Sequence, residues 1–187
     1  MRKVIEYCLV SADGIVLDDP FPFGEYLDET YLRDRLGLFA ACEAMLWGRT
    51  TYERFASRWT AGDMVRPYAA RLNAIPKYVF SSKLETAGWG NATLVRGDIA
   101  REVSRLKYQD GGDLLVLGHG LLGETLLKEG LLDVLELAIY PVVAGHGKPF
   151  LREGQATKLK LTATRSYSKI VKLTYEPQYT EGFRRET

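Results

Sequence analysis

Hydrophobic and polar residues change their spacing repeatedly along the chain, and these changes predict alternating strands and helices. Apolar residues dominate 3–10, 44–47 and 114–117, a pattern typical of strands that are buried on both faces of a parallel sheet. Over 28–41 and 98–107 the apolar residues instead recur at helical spacing, which indicates helices with one buried face. The pattern therefore predicts an α/β protein.

The rest of the chain continues this alternation. Further helices are predicted from Thr50, around 64–73 and over 121–129, and further strands over 77–80, 92–95 and 134–140. The last two apolar segments, 158–164 and 169–175, alternate between apolar and polar residues, which predicts an antiparallel hairpin. The order of elements predicts a three-layer α/β/α sandwich with a mostly parallel sheet and a C-terminal antiparallel hairpin. One domain is expected over 1–176, followed by a polar tail over 177–187.

Composition and charge narrow the class of ligand. The 187 residues are 46% hydrophobic, and 25 Lys and Arg against 24 Asp and Glu leave a formal net charge of +1. Without an excess of charge nothing draws the protein to nucleic acid or to a membrane surface, so we expect a small-molecule partner. Glu6 interrupts the first apolar run before it is long enough for a signal peptide or a membrane span, which predicts a cytoplasmic protein.

The two cysteines, Cys8 and Cys42, form neither a CxxC pair nor part of a cluster of metal ligands. Cys8 lies in the apolar run of the first strand, and Cys42 lies near the end of a predicted helix. Both are expected to be small buried residues. The sequence therefore predicts neither a metal site nor a structural disulfide.

Three junctions that follow predicted strands carry residues suited to phosphate groups, and ligands of parallel sheets bind at the carboxyl ends of the strands. The first junction is Gly48-Arg49-Thr50-Thr51. Its glycine permits close backbone approach, its helix amides favour an anion, and Arg49 adds a fixed positive charge. A glycine turn followed by a threonine cap would explain the same residues equally well.

The other two junctions have similar chemistry. Ser-Ser-Lys at 81–83 offers two hydroxyls and an ammonium that could hold a ribose phosphate, and the alternative is a solvated loop. At Gly118-His119-Gly120 a pyrophosphate could contact backbone amides, while His119 could touch that ligand or simply be exposed. Each match is weak alone, but together they lie in the order in which one extended dinucleotide would meet them.

Motifs over nearly the whole chain resemble the dihydrofolate-reductase-like superfamily, and within it the C-terminal reductase domain of the bacterial riboflavin biosynthesis deaminase-reductase. The resemblance extends from about Arg2 to Tyr175. The motifs that carry it are SADG at 11–14, GRTTYE at 48–53, KYVFSS at 77–82, LK at 106–107, VLGHG at 116–120, GLLD at 130–133 and PVVAGHGKP at 141–149. The deaminase motifs H-x-E and P-C-x-x-C are absent from the sequence, so the resemblance is to a stand-alone reductase domain.

The resemblance implies an NADPH site. The segment around Arg49 would lie near the adenosine phosphates, 81–83 near the 2′-phosphate, 118–121 under the pyrophosphate, and the nicotinamide beside the first strand. The implied cofactor-binding residues are Val10, Ile15, Gly48, Arg49, Thr50, Thr51, Ser81, Ser82, Lys83, Gly118, His119, Gly120 and Leu121. Relatives often have Gly-Gly or Gly-Ser where this chain has Gly118-His119, so an imidazole here would crowd the cofactor or add a phosphate contact.

The proton donor is harder to identify than the cofactor site. Dihydrofolate reductases place one carboxylate in the helix after the first strand, and here that helix offers Asp28, Glu29 and Asp34. Asp34 is the candidate catalytic residue, although an aspartate that forms surface ion pairs fits the sequence as well. Scattered arginines could recognise a substrate phosphate or simply lie in solvent: Arg33, Arg35, Arg54, Arg58 and Arg66.

The resemblance implies an NADPH-dependent reductase that transfers hydride to a heterocyclic or ribosylaminopyrimidine-type substrate. Two alternatives remain open: a non-catalytic module that binds NADPH, and a reductase of dihydrofolate or another pterin. Similar family members form dimers, and Tyr140, Tyr167 and Tyr175 lie in the late strands. We therefore expect a two-fold homodimer that buries part of the hairpin.

Overall fold

A computed structural model describes residues 1–18, 22–60, 66–151 and 156–179, and these residues form one sheet flanked by helices. The strands, in chain order, are β1 (Val4–Ser11), β2 (Cys42–Gly48), β3 (Lys77–Phe80), β4 (Ala92–Val95), β5 (Asp113–Leu117), β6 (Val134–Tyr140), β7 (Lys158–Ser166) and β8 (Val171–Gln178). The α-helices are α1 (Glu29–Ala41), α2 (Arg49–Thr60), α3 (Arg66–Ala74), α4 (Ile99–Lys107) and α5 (Leu121–Lys128), and a short 3-10 helix at Phe23–Tyr26 precedes α1.

The strands of the sheet are arranged in the order β4-β3-β2-β5-β1-β6-β8-β7. The first six strands in this order, from β4 to β6, are parallel to one another. The strand β8 is antiparallel to both of its neighbours, β6 and β7. Parallel neighbours need crossover connections; helices lie in the connections that follow β1, β2, β4 and β5, whereas β3 is joined to β4 by a loop. The predicted mostly parallel sheet with a C-terminal antiparallel hairpin is confirmed.

Helices cover both faces of the sheet. Successive side chains of a strand point to opposite faces, so β1 contributes residues to the core on each side. On one face, Val4 of β1 belongs to a buried cluster with Leu106 of α4 and Leu126 of α5. On the other face, Tyr7 of the same strand belongs to a second cluster with Phe39 of α1. The predicted three layers are therefore present.

Both cysteines are free and buried, as the sequence predicted for small core residues. In the described parts of the chain, no group of three or more His, Cys, Asp or Glu side chains is placed to hold a metal ion. None of the helices within those ranges combines the length and the hydrophobicity needed to cross a bilayer.

The carboxylate of Asp28 fixes the start of α1. Asp28 is the N-cap, and its Oδ1 accepts a hydrogen bond from the amide of Tyr31 (2.8 Å), an amide that the helix itself leaves without a partner. Its Oδ2 accepts hydrogen bonds from the amide and the hydroxyl of Ser168 (2.9 and 2.7 Å). The bond from Tyr31 and those from Ser168 lower the pKa of Asp28, and they tie α1 to the turn between β7 and β8.

The segment at 141–149 folds against the loop that follows β1. Asp13 in that loop accepts hydrogen bonds from the hydroxyl of Ser11 (2.5 Å) and from the amides of Ala144 (3.0 Å) and Gly145 (2.8 Å). These bonds lower the pKa of Asp13 to about 2. Gly145 has a φ of 69°, which glycine adopts at little cost. The glycine-rich segment is thus a turn that holds the β1 loop in place.

The last strand extends past the domain boundary that the sequence predicted at 176. β8 continues to Gln178, and Pro177 is buried and pairs with Leu159 of β7. The pairing of β8 with β6 ends at Tyr175, so the missing amide of Pro177 removes no hydrogen bond on that side. The rest of the predicted tail, from 180 onward, and the predicted helical start at 64–65 lie outside the described residues.

Candidate functional site

A cleft opens along the carboxyl ends of β2, β3 and β5. These three strands are neighbours in the sheet, and because they are parallel their ends lie at the same edge. The cleft has a volume of about 540 Å³, and it is walled by the start of α2, the loop after β3 and the loop before α5. Its size is typical of a site for a small ligand or cofactor.

The cleft brings together most of the residues that the resemblance implied for the cofactor. Its lining includes Gly48, Arg49, Thr50, Thr51, Ser81, Ser82, Lys83, Gly118, His119, Gly120 and Leu121. Val10 and Ile15, although described, are not part of this lining: Val10 is 4% exposed in the core and Ile15 pairs with Pro149. The position of the nicotinamide beside them stays a prediction.

The start of α2 supplies a helix N-terminus and a cation. β2 ends at Gly48 and α2 begins directly at Arg49, so the first amides of the helix have no partner within it and favour an anion. Arg49 pairs with Glu53 one turn later (3.0 Å), and both side chains are about half exposed, at 44% and 45%. Exposed pairs of this kind contribute little to stability, so the guanidinium can turn toward a ligand at small cost.

The loop after β3 is organised by a serine and braced by an arginine. Oγ of Ser81 accepts hydrogen bonds from the amides of Lys83 (3.1 Å) and Leu84 (3.0 Å), as in other turns led by serine. Arg96, which follows β4 and which the sequence did not suggest, donates to the carbonyls of Ser82 (3.3 Å) and Leu84 (2.6 Å). The exposed ammonium of Lys83 is the cation that this braced loop offers to a ligand.

The start of α5 adds a second helix N-terminus to the same cleft. Its N-cap is Gly120, which makes no side-chain capping bond, and the preceding Gly118 has a φ of 75° that favours glycine. A helix start without a side-chain cap leaves amides available to an anion. The charged residues of the described lining add to this preference, since they are four cations and one carboxylate: Arg49, Arg54, Lys83, Lys148 and Asp18.

Two of these cations link separate elements of the cleft. Arg54 of α2 pairs with Asp18 (2.5 Å) at the end of the β1 loop. Nζ of Lys148 lies 3.0 Å from Oε1 of Glu124 and donates to the carbonyl of His119 (3.3 Å). Arg54 was one of five arginines that the sequence offered for a substrate phosphate, whereas Lys148 was only part of the motif at 141–149 and had no assigned role. The side chains of 58 and 66 lie outside the described residues.

The side chain of His119 points into the core, not into the cleft. Its Nδ1 lies 2.6 Å from Oε1 of Glu6 in β1, and both side chains are fully buried. Phe150 packs on the imidazole, with ring centroids 4.2 Å apart. The alternative that His119 is simply exposed is therefore wrong. Because the imidazole is fully buried, only the backbone of His119 faces the cleft, which argues against both effects that the sequence suggested for the ring.

Asp34 lies outside the cleft lining. Its carboxylate pairs with Arg165 of β7 and Lys172 of β8 (both 2.5 Å) and accepts a hydrogen bond from the hydroxyl of Tyr167 (2.7 Å). Burial acts to raise the pKa of Asp34, but the hydrogen bonds from Lys172 and Tyr167 and the neighbouring charges outweigh it, and the pKa is lowered. An ionised carboxylate held by three partners is no proton donor at neutral pH, so the structure supports the alternative, an aspartate that forms ion pairs.

Known proteins are similar to this chain over nearly its whole length. The sequence model of the RibD C-terminal domain matches residues 2–173. The uncharacterized protein YyaP of Bacillus subtilis is 27% identical over 170 residues, which are 88% of this chain and 84% of YyaP.

Solved structures share the fold. A protein of Shewanella sp. PV-4, provisionally described as a riboflavin biosynthesis protein, superposes with a TM-score of 0.70 at 20% identity, over 94% of this chain and 99% of that one. The diaminohydroxyphosphoribosylaminopyrimidine deaminase/5-amino-6-(5-phosphoribosylamino)uracil reductase of Thermotoga maritima gives a TM-score of 0.65 at 14% identity, over 95% of this chain and 57% of that one. At such identities the likeness shows the fold alone.

Proposed function

The chain belongs to the RibD C-terminal domain family, and from this premise we propose that it is an NADPH-dependent reductase. One observation carries the cofactor assignment: two helix N-termini and four cationic side chains converge on a single cleft. A dinucleotide phosphate is extended and carries several negative charges. Helix N-termini and cationic side chains spread along one cleft are suited to binding it.

The charges in the cleft suggest how the cofactor is oriented. Arg49 and Lys83 supply fixed charges suited to the adenosine phosphates and the 2′-phosphate, and the start of α5 suits the pyrophosphate. The nicotinamide end then lies toward the β1 loop, on the side of Val10 and Ile15. NADPH bound in this way supplies a hydride, while the residues of the chain hold it and limit the access of water.

The proposed substrate is a heterocyclic or ribosylaminopyrimidine-type compound, by analogy with the reductase named for the Thermotoga maritima protein. Arg54 and Lys148 extend the positive charge of the cleft beyond the residues assigned to the cofactor, which suits a substrate that carries a phosphate. In the described lining Asp18 is the one carboxylate, and it is half exposed and paired with Arg54. We therefore assign the proton for an imine acceptor to solvent.

One alternative is favoured by this same lack of an acid among the described residues of the cleft. A module that binds NADPH without turning it over would need the cofactor residues and no proton donor. A pterin reductase has less support, because it would use the helix carboxylate as an anchor for the ring, and Asp34 is engaged by the hairpin.

Cofactor oxidation separates a reductase from a binding module. The protein is mixed with NADPH and a ribosylaminopyrimidine phosphate or a dihydropterin, and the loss of reduced-nicotinamide absorbance is followed. We expect oxidation that depends on the pyrimidine. If the protein binds NADPH but none of these compounds causes its oxidation, the result supports the non-catalytic binding module. If the protein binds no NADPH, both proposed functions are contradicted.

We also propose that the protein is a cytoplasmic homodimer. β7 is exposed along most of its length, and Leu161 and Val171 leave apolar surface on the hairpin, at 52% and 38% exposure. Two of the tyrosines that the sequence suggested for the contact are used within the chain, since Tyr140 is buried and Tyr167 binds Asp34. The proposed contact is therefore carried by the apolar residues of β7 and β8.

A further inference from the structure

Glu6 and His119 form a buried polar contact directly behind the start of α5. On the same face of β1 the neighbours of Glu6 are apolar core residues, Val4, Cys8 and Val10. The side chains of Glu6 and His119 are fully buried, with Oε1 and Nδ1 2.6 Å apart. A carboxylate in such surroundings costs free energy unless it is paired and hydrogen-bonded.

The pairing of these two side chains is incomplete. Within the described residues, Oε2 of Glu6 and Nε2 of His119 are buried without a hydrogen-bond partner, and buried polar atoms in this state are uncommon. Replacing a buried pair by apolar side chains of similar size is often neutral or stabilising. The stability of the fold therefore does not explain why the pair is there.

The pair is packed against the backbone of the first turn of α5. A Cβ atom on Gly123 would lie 2.7 Å from Nδ1 of His119, and closer still to Oε1 of Glu6, so a glycine is needed at this position. Gly123 also lines the cleft. The pair thus touches, from behind, the helical turn whose amides face the cleft.

The loop before α5 is anchored on its other side as well. The carbonyl of His119 accepts a hydrogen bond from Lys148 (3.3 Å), whose ammonium also lies 3.0 Å from a carboxylate oxygen of Glu124 in the first turn of α5. The imidazole is attached to β1 and the carbonyl is attached to the 141–149 turn. The short segment from Gly118 to α5 is therefore held from two directions.

We propose that Glu6 and His119 are positioning residues, which hold the backbone of 119–123 in the conformation that presents its amides to the cleft. The carboxylate of Glu6 accepts a hydrogen bond from Nδ1–H of His119 and fixes the rotation of the ring, and the ring fixes the loop. Neither side chain touches the ligand. An anion-binding turn that is already ordered spares the ligand the entropy cost of ordering it. The functional readout of this role rests on the proposed cofactor.

Single and double replacements test this role. His119→Leu leaves a buried unpaired carboxylate and Glu6→Leu leaves an unpaired imidazole, so each single variant should lose stability. Glu6→Leu/His119→Leu removes both groups and should melt at or above the wild-type temperature. In this double variant, without ligand, we expect amide hydrogen exchange over 119–123 to be faster by about tenfold, and NADPH binding to be weaker by about tenfold, the scale on which supporting partners act in other sites.

Two nearly isosteric variants serve if the double variant does not fold. Glu6→Gln keeps an oxygen that accepts the bond from Nδ1–H and should behave like the wild type. Glu6→Met keeps the length of the side chain but accepts no such bond, so it should lose stability as Glu6→Leu does. Under conditions where this variant is fully folded, amide exchange should be faster over 119–123 alone and NADPH binding should be weaker.

Exchange and affinity together decide the outcome. Wild-type exchange at 119–123 in the double variant or in Glu6→Met overturns the proposal, and so does faster exchange with unchanged NADPH affinity. If the wild-type protein binds no NADPH, the proposed cofactor fails, while the exchange rates measured without ligand still decide whether Glu6 and His119 position the loop.

Discussion

Lys77 carries an ammonium that is fully buried at the start of β3. Its Nζ donates a hydrogen bond to the carbonyl of Ile75 (2.9 Å) and lies 4.8 Å from the ring centroid of Trp89. Burial lowers the pKa of Lys77 to about 8, because desolvation disfavours the charged form of the side chain. The stability of the protein is therefore linked to the charge of a lysine outside the cleft lining.

We predict that Lys77 makes the protein more stable as the pH rises from neutral to alkaline. Its folded-state pKa of about 8 lies below the value of about 10.4 for an unfolded lysine, so between these values the unfolded state binds more protons and the free energy of unfolding increases with pH. Urea unfolding of the wild type and of Lys77→Met, at about pH 7 and about pH 10, measures this contribution. Lys77→Met should lack this increase in the free energy of unfolding. An equal pH dependence of the two proteins would contradict the assignment of the increase to Lys77.

Residues whose role follows from their neighbours in the chain could be predicted from the sequence. Arg49 and Lys83 follow strand ends, so the local pattern was enough to place them at the edge of the sheet where the cleft lies. Glu6 and His119 are separated by 113 positions, and Lys148 lies 29 positions from His119. No local pattern joins such partners, and Glu6 in an apolar run indicated only that the run was interrupted.

At the scale of elements, polar contacts fasten α1 to the C-terminal hairpin. Asp28 at the start of the helix binds Ser168 in the hairpin turn, and Asp34 farther along binds Lys172 of β8. These partners are 140 and 138 positions apart. Periodicity could therefore predict the helix and its buried face, but not what its polar face meets.

We predict that Asp34→Asn lowers stability and leaves turnover unchanged. Asparagine keeps the shape and can still accept the bond from Tyr167, but the charge that pairs with Arg165 and Lys172 is lost, at a cost of roughly 1–3 kcal/mol. Thermal melts and steady-state NADPH oxidation measure the two effects. Glu29→Gln is the matched control: it removes an exposed pair with Arg33 and one acidic charge from the first turn of the same helix, and both are small contributions to stability.

A loss of turnover in Asp34→Asn would contradict this prediction and indicate that Asp34 takes part in the reaction. A fall in kcat of about 100-fold, the effect of losing a general acid, in a fully folded Asp34→Asn protein would show that the carboxylate acts in the reaction. The ion pairs of Asp34 with the hairpin would then belong to the protein without substrate and would change when substrate binds.

At the scale of the whole molecule, the sequence predicted the layers and the class of sheet but not the strand order. Continuous apolar runs, helical spacing and strict alternation are local signals, and they predicted the parallel strands, the helices and the final hairpin. The order β4-β3-β2-β5-β1-β6-β8-β7 depends on pairings such as Val4 with Leu114, which are distant in the chain. The cleft could be predicted because every parallel strand ends at the same edge.

We predict that the molecule is a two-fold dimer that uses the exposed hairpin. Sedimentation at micromolar concentration should give twice the mass of the chain, and Leu161→Glu should give monomers, because burying a new charge opposes the contact. Leu121→Glu is the control, since Leu121 is also exposed, at 69%, but lies at the cleft. A wild-type protein that sediments only as a monomer would refute the dimer.

The preference for NADPH over NADH tests the central claim, that the cleft is a site for a dinucleotide with a 2′-phosphate. Arg49→Ala should weaken NADPH binding by roughly 1–3 kcal/mol through loss of a charge-assisted contact. Arg33→Ala is a matched control, because Arg33 and Arg49 each pair with a glutamate one turn away (2.8 and 3.0 Å), but only Arg49 lines the cleft. The control should bind NADPH like the wild type.

Fluorescence titration of the wild type, Lys83→Ala, Arg49→Ala and Arg33→Ala with both cofactors is the most direct measurement. The wild type and Arg33→Ala should bind NADPH more tightly than NADH, with a difference that shrinks as salt screens the 2′-phosphate contact. Lys83→Ala should lose most of this preference. Equal affinities of the wild-type protein for NADPH and NADH would contradict the assignment of Arg49 and Lys83 to the 2′-phosphate end of the cofactor.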